Sequence, residues 1–547
     1  MAIIEAHRRR ARSGKFAGSI LAALGCVFAI GLGATPAPPQ TAPGNTKGRL
    51  LVEIFDHTTG QAVKARCYLT DAANKFWAPA GAPQYHKPPE EHFIAAGKFE
   101  ISLPPGQYKL QVERGPEYRA VTRELEIAPG ATRREKIELV RWIDMNARGW
   151  YSGDLHNHRP WREMPALLLA EDLNLAPTLT QWVWENDLNA VAPPASDAGS
   201  AVHVVDATHA FSVYDTEIER LKDGPGAVDL VGLRTPLEFH GYLVSPPNTL
   251  FAQEARRQGG YVDAEKITWR DVAALVALGE VDFGGLVYNH FNRHGVETET
   301  ATWGMIPKED PEYDTPAGMA LWAMSVYYRF LNCGFRLAAS AGSASGVKAS
   351  PLGFERVYVH LPGAFSYAEW FRALKQGRSF ATNGPMLFLT VNGREPGDTI
   401  WLRGPVASNP SNIRKPRIHV EASSAASLDR LEVVWKGRVV KSVSPGNDPT
   451  RAVADCELDA KETGWVAART FEKPAAAIRF AHTSPVYVRV GEGRGIVPED
   501  AKFFINWIDR EMKLYQGYPG FRSEQNRQAM LEMYRKARAV YVQLTKP

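Results

Sequence analysis

Two histidines separated by one residue follow a short apolar run and an acid in the stretch Trp150-Tyr151-Ser152-Gly153-Asp154-Leu155-His156-Asn157-His158. On a β-strand, residues i and i+2 project to the same face, so Asp154, His156 and His158 converge at the strand end. Imidazole suits Zn, Mn, Fe or Ni, and a neighbouring carboxylate fixes its tautomer from behind. The spacing points to a metal site, with Asp154 as the orienting carboxylate; the bland alternative is a pair kept for packing. No Walker loop, dinucleotide fingerprint or His-Glu-x-x-His motif competes with this reading. Gly342-Ser343-Ala344-Ser345-Gly346 has the outline of a nucleophile elbow, but its centre is Ala344, which cannot attack. It reads instead as a tight turn at a strand end.

Trp161, Trp182, Trp184, Tyr288 and Trp303 cluster around these motifs in sequence. They suit either a stacking surface for a sugar or aryl group or the filling of a large core.

At 547 residues the chain calls for several domains, and its 44% hydrophobic and 23% charged residues are those of a globular protein. Arg8, Arg9, Arg10, Arg12 and Lys15 precede an apolar run from Phe16 to Leu32, and Leu32-Gly33-Ala34 leads into the Pro-rich 35–48. This predicts a signal peptide over 1–34, then a linker, and an exported mature chain. An uncleaved anchor is the alternative; a lipoprotein reading through Cys26 fits less well, because apolar residues continue after it. The signal carries five of the 64 basic and one of the 60 acidic residues, which leaves 59 of each. The mature chain is therefore close to neutral, with no basic patch for nucleic acid and no stable membrane insertion expected. Cys67, Cys333 and Cys456 are scattered, so neither a disulfide framework nor a cysteine zinc site is suggested.

The elements that must position the histidines follow from periodicity. Residues 49–142 show period-two apolar runs broken by turns such as Leu103-Pro104-Pro105-Gly106, which predicts a small β-sandwich. From Gly149 to Pro385 strand-like runs alternate with helical ones: Leu286–His290 reads as strand, Trp269–Leu278 and Tyr367–Gln376 as helix. That alternation suggests an α/β architecture, in barrel form, whose site lies at strand C-termini; His158 and His290 both fall at such ends. Residues 386–495 return to period two and predict a β-rich module. Two helices, 498–514 and 522–543, close the chain, the first opened by Pro498-Glu499-Asp500.

Two resemblances attach to these residues. The segment from Gly97 through Gly106-Gln107-Tyr108 resembles the carboxypeptidase-regulatory, transthyretin-like sandwich, which implies an accessory role. The region 149–400 resembles the polymerase-and-histidinol-phosphatase (PHP) metallohydrolase superfamily, in particular its carbaryl-hydrolase-like branch. The likeness rests on Gly153-Asp154-Leu155-His156-Asn157-His158, Thr216-Glu217-Ile218-Glu219-Arg220, Val287-Tyr288-Asn289-His290, and Ala373-Leu374-Lys375-Gln376-Gly377-Arg378-Ser379-Phe380 leading to Thr382-Asn383-Gly384-Pro385.

The PHP resemblance implies a (β/α) barrel in which His156 and His158 are paired ligands, Glu217 a carboxylate ligand and His290 a further ligand from a later strand. Glu219 is the rival of Glu217, and His240 and His294 are spare candidates. The chain also departs from the family pattern. Thr180-Gln181-Trp182 stands where Thr-Asp-His is usual, Gly342-Ser343-Ala344-Ser345-Gly346 where Gly-Ser-Asp-x-His is usual, and Gly226-Ala227 where Gly-His is usual. Several ligands of a multinuclear cluster are missing, so the expectation is a single divalent ion, Zn, Mn or Fe.

The expected function is an exported metal-dependent hydrolase of ester, carbamate or phosphoester bonds using a metal-activated water, with Asp154 and Glu217 as its catalytic carboxylates and a small molecule or glycan as substrate. The alternative is a non-catalytic relative at the cell surface that binds a glycan or a protein partner.

Overall fold

The structure is a computed structural model that describes residues 46–184, 187–190, 199–220, 224–237, 244–298, 305–309, 311–402 and 415–546. The expected signal peptide and most of the linker, His240, Trp303 and the side chain of Trp184 lie outside the described residues. Asn45–Pro547 forms one compact unit.

The N-terminal module is the expected sandwich. Gly48–Asp56 pairs with Lys98–Leu103 and Thr132–Leu139, and a five-stranded sheet runs Gln84–Lys87, Glu90–Ala96, Lys64–Asp71, Gly106–Glu113, Val121–Ile127. Leu50, Val52 and Ile54, two residues apart, turn inward to meet Cys67, Leu69, Phe93, Leu110 and Val112 in one shared core. Each such aliphatic side chain contributes roughly 1.5–3 kcal/mol by leaving water.

In the centre, the histidine strand Trp150–Gly153 pairs in parallel with Leu175–Trp184, which runs parallel to Ala210–Arg220. Phe283–Tyr288 and Ala338–Gly342 are also parallel. Between these parallel groups the direction reverses, because Ala210–Arg220 turns straight back into Gly226–Val231 as an antiparallel pair. Five residues separate Arg220 from Gly226, whereas a parallel crossover needs about a dozen or more. The centre is therefore a mixed α/β arrangement, and strict strand-helix alternation holds only for part of it.

Helix Tyr367–Lys375 shows how the outer layer sets the inner one. Ser366 caps it by accepting from the Glu369 amide, and Trp370, Phe371, Ala373 and Leu374 form its buried stripe. Trp370 donates to the Tyr151 carbonyl at 2.8 Å, and its ring fills the place where a Cβ on Gly153 would stand, 2.4 Å from the indole. Only glycine at 153 lets this tryptophan clamp the strand that leads to Asp154 and His156.

The C-terminal strands and helices share cores with the centre rather than standing apart. Trp150, Tyr358 and Phe380 pack with Met386, Leu387 and Val420, and Phe504, Trp507, Tyr534 and Tyr541 join the central core. Helices Pro498–Gly517 and Glu524–Leu544 match the expected pair. They buttress the centre through Trp507 and Tyr541, which donate to the carbonyls of Arg270 and Ala273. No helix among the described residues is long and apolar enough to cross a membrane.

Candidate metal centre

The strand register places the site. Trp182, Glu217, Asp229 and Asp263 are successive cross-strand partners on four adjacent strands, so three carboxylates form a row across the sheet. The histidine loop closes over one end of that row.

His156 Nε2 and His158 Nε2 face each other at 2.9 Å, and Glu217 Oε2 lies 3.0 Å from the second and 3.4 Å from the first. All three residues are buried, and their ligand atoms form a mutually adjacent group. Two nitrogen lone pairs and a carboxylate aimed at one point repel unless a proton or a cation lies between them. Three atoms at these separations lie on a circle of radius about 1.8 Å, just inside the 2.0–2.1 Å or so that zinc keeps to imidazole nitrogen and carboxylate oxygen. The donor set fits one divalent ion.

The far nitrogen of His156 has its own partner. Nδ1 lies 2.9 Å from Glu265 Oε1, an arrangement that places the ring proton on Nδ1 and leaves Nε2 as the donor atom. Glu265 adopts φ 55° and is gripped by Lys266, Trp269 Nε1 at 2.6 Å and Asn289 Nδ2 at 3.4 Å. Lys266 and Glu265 are both buried and cancel in charge, so Glu217 is left as the ionised carboxylate within the trio.

Burial raises the energy of every charge here, and local partners decide which survive. For His156, burial opposes protonation, but Asp229 and Glu217 outweigh it and hold its pKa far above the ordinary value. Burial, only partly offset by Glu217, lowers that of His158. Burial likewise disfavours an ionised Glu217, yet His156 and His158 keep it well below the usual carboxylate range. Glu219 is pushed up to about 8, by burial and then by the Glu217 charge, and it accepts from Trp182 Nε1 at 3.0 Å. Asp229 lies 3.6 Å from His156 Nδ1, and burial pushes Asp263 up to about 7.

The other expected residues take different places. Asp154 is buried but points at backbone: its carboxylate accepts from the amides of His156 (3.1 Å), Ser343 (2.9 Å) and Gly353 (2.7 Å) and from the Ser343 hydroxyl. It orients the histidine loop, not the imidazole rings, and its oxygens are fully engaged. His290 lies in a turn just past its strand, outside the trio, with Nε2 3.7 Å from Glu297. Burial, with the charges of Lys266 and Lys348, holds its pKa well below the ordinary value. His294 turns away to Glu90 of the sandwich at 2.8 Å. The loop 342–346 is the expected tight turn, with Ala344 at φ 50°, and it lies against the site: Ala344 N donates to the His156 carbonyl at 2.7 Å.

Of the aromatics, Trp182 stands on His158 with ring centroids 5.4 Å apart, while Tyr288 is wholly buried. Gln181, at the place of an expected ligand, spends its carbonyl oxygen on Thr216 Oγ1 and the Leu237 amide. Sequence reasoning missed Asp229, Asp263, Glu265 and Lys266. A signal existed, since Asp229 interrupts the apolar Ala227-Val228-Asp229-Leu230-Val231 and would be costly to bury without a purpose.

No protein-family model and no curated protein matches the chain. Among solved structures, the Bacillus anthracis TIE protein is similar at 14% identity with a TM-score of 0.15; the match covers 21% of this chain and 20% of that one. So small an overlap carries no argument. Fold and site define a strand-rich, mixed α/β protein with a buried His156-His158-Glu217 group able to hold a metal ion.

Proposed function

We propose that the chain is an exported metal-dependent hydrolase of the carbaryl-hydrolase-like branch of the PHP superfamily, with a single-ion site that cleaves ester, carbamate or phosphoester bonds. The observation that carries this reading is the convergence of His156, His158 and Glu217 on one point, with Glu265 behind His156. A divalent ion bound there supplies Lewis acidity and a water activated near neutral pH. The protein's own part is positional. Glu265 fixes which His156 nitrogen faces inward, Asp154 holds the loop, and Glu217 provides the balancing negative charge. Purified protein loaded with zinc, manganese or iron is expected to hydrolyse at least one of a panel of aryl esters, carbamates and phosphoesters, with His158→Ala inactive.

A second reading has its own observation. Trp182 packs on His158, and Gln181 stands where a further ligand is expected. Stoichiometric metal without turnover of any panel member would favour a binding protein for a glycan or a protein partner.

A further inference from the structure

One side chain of the N-terminal sandwich, Tyr85, reaches the loop beside the metal centre. Tyr85 lies on the edge strand Gln84–Lys87, where its neighbours Gln84, His86 and Lys87 are exposed and it alone is buried. Its ring is stacked on His92, with centroids 5.1 Å apart, and Arg159, the residue after His158, covers it at 4.6 Å. Its hydroxyl accepts from the Gly346 amide at 2.8 Å and donates to the Lys348 carbonyl. Between the Gly346 contact and the metal centre is a single residue: Ser345, whose carbonyl accepts from the His158 amide at 2.7 Å. Gly346 adopts φ 109° and its backbone presses on His158 so closely that a Cβ would stand 2.7 Å from the His158 carbonyl. The loop has no slack, and its outer end is held by a tyrosine from another module.

We infer that Tyr85 is a positioning residue of the metal centre, fixing His158 through the Ser345-Gly346 backbone, so that the sandwich is a working part of the site. This rests on reading His156, His158 and Glu217 as metal ligands. Outer partners of metal ligands typically alter affinity by roughly 10–100-fold.

The test compares two variants of the full chain. Tyr85→Phe keeps the ring and removes the hydroxyl. Tyr68→Phe removes a hydroxyl from the same seam, where it donates to Glu90 at 2.6 Å, and leaves the loop untouched. Zinc affinity by chelator competition and the visible spectrum of the cobalt(II)-loaded protein are the readouts. Tyr85→Phe is expected to weaken zinc binding about tenfold and to shift the cobalt bands, with Tyr68→Phe at wild-type values on both. Wild-type affinity and spectrum in Tyr85→Phe, or equal losses in the two variants, would overturn the inference alone. A wild-type chain that takes up no zinc would overturn the metal centre beneath it.

Discussion

His156 and Glu265 meet at 2.9 Å on the side of the imidazole turned away from His158. That contact gives the site its polarity, because the same ring then offers its other nitrogen to the point where His158 and Glu217 converge.

Glu265→Gln keeps the shape and an accepting oxygen but removes the charge and leaves Lys266 buried without its counterion. Breaking a buried pair from one side costs about 3–5 kcal/mol. Zinc affinity is expected to fall at least tenfold and the thermal midpoint to drop. The double variant with Lys266→Gln is expected to regain stability without regaining affinity, a separation that a double-mutant cycle reads directly.

Asp154→Asn tests whether this carboxylate positions or reacts. Its oxygens satisfy three amides and one hydroxyl, and an amide nitrogen in their place would face donors. Each buried donor left unmatched costs about 1–3 kcal/mol. The variant should therefore lose stability, seen as a lower urea midpoint, together with metal affinity. Wild-type stability with abolished turnover would instead mark Asp154 as a reacting group.

Stability should also respond to pH through His482. Burial, with Arg469 adding to it, lowers its pKa to about 3, and the neutral ring is fully engaged: Nδ1 donates to the Thr483 carbonyl and Nε2 accepts from Tyr328. A depressed histidine pKa means that the unfolded chain binds the proton more readily. This contribution is complete above about pH 6.5 and is lost as pH falls toward 3, by roughly 1.4 kcal/mol per pH unit. Thermal midpoints measured from pH 7 to 4 should fall, and less steeply in His482→Gln.

Much of this was legible in the chain. The His156-x-His158 spacing was readable as a local mark, although both histidines lie in the loop past strand Trp150–Gly153, and Glu217 entered through the family resemblance. The closing helices were legible, the first from its opening Pro498-Glu499-Asp500. Register was not, because the row Glu217, Asp229, Asp263 exists only once three strands are paired, and no local pattern reports a cross-strand neighbour. His290 illustrates the converse. A histidine at a strand end looks like a ligand, but His290 sits in a short turn with Nε2 3.7 Å from Glu297 and is not among the mutually adjacent ligand atoms. Asp154 was read as orienting the histidines, which it does through backbone amides.

The most direct test of the central claim is elemental analysis of the purified mature chain alongside His156→Ala and His158→Ala. The account predicts about one equivalent of a divalent transition metal per wild-type chain and its loss in both variants. A wild-type chain with no more bound metal than the two variants would contradict it.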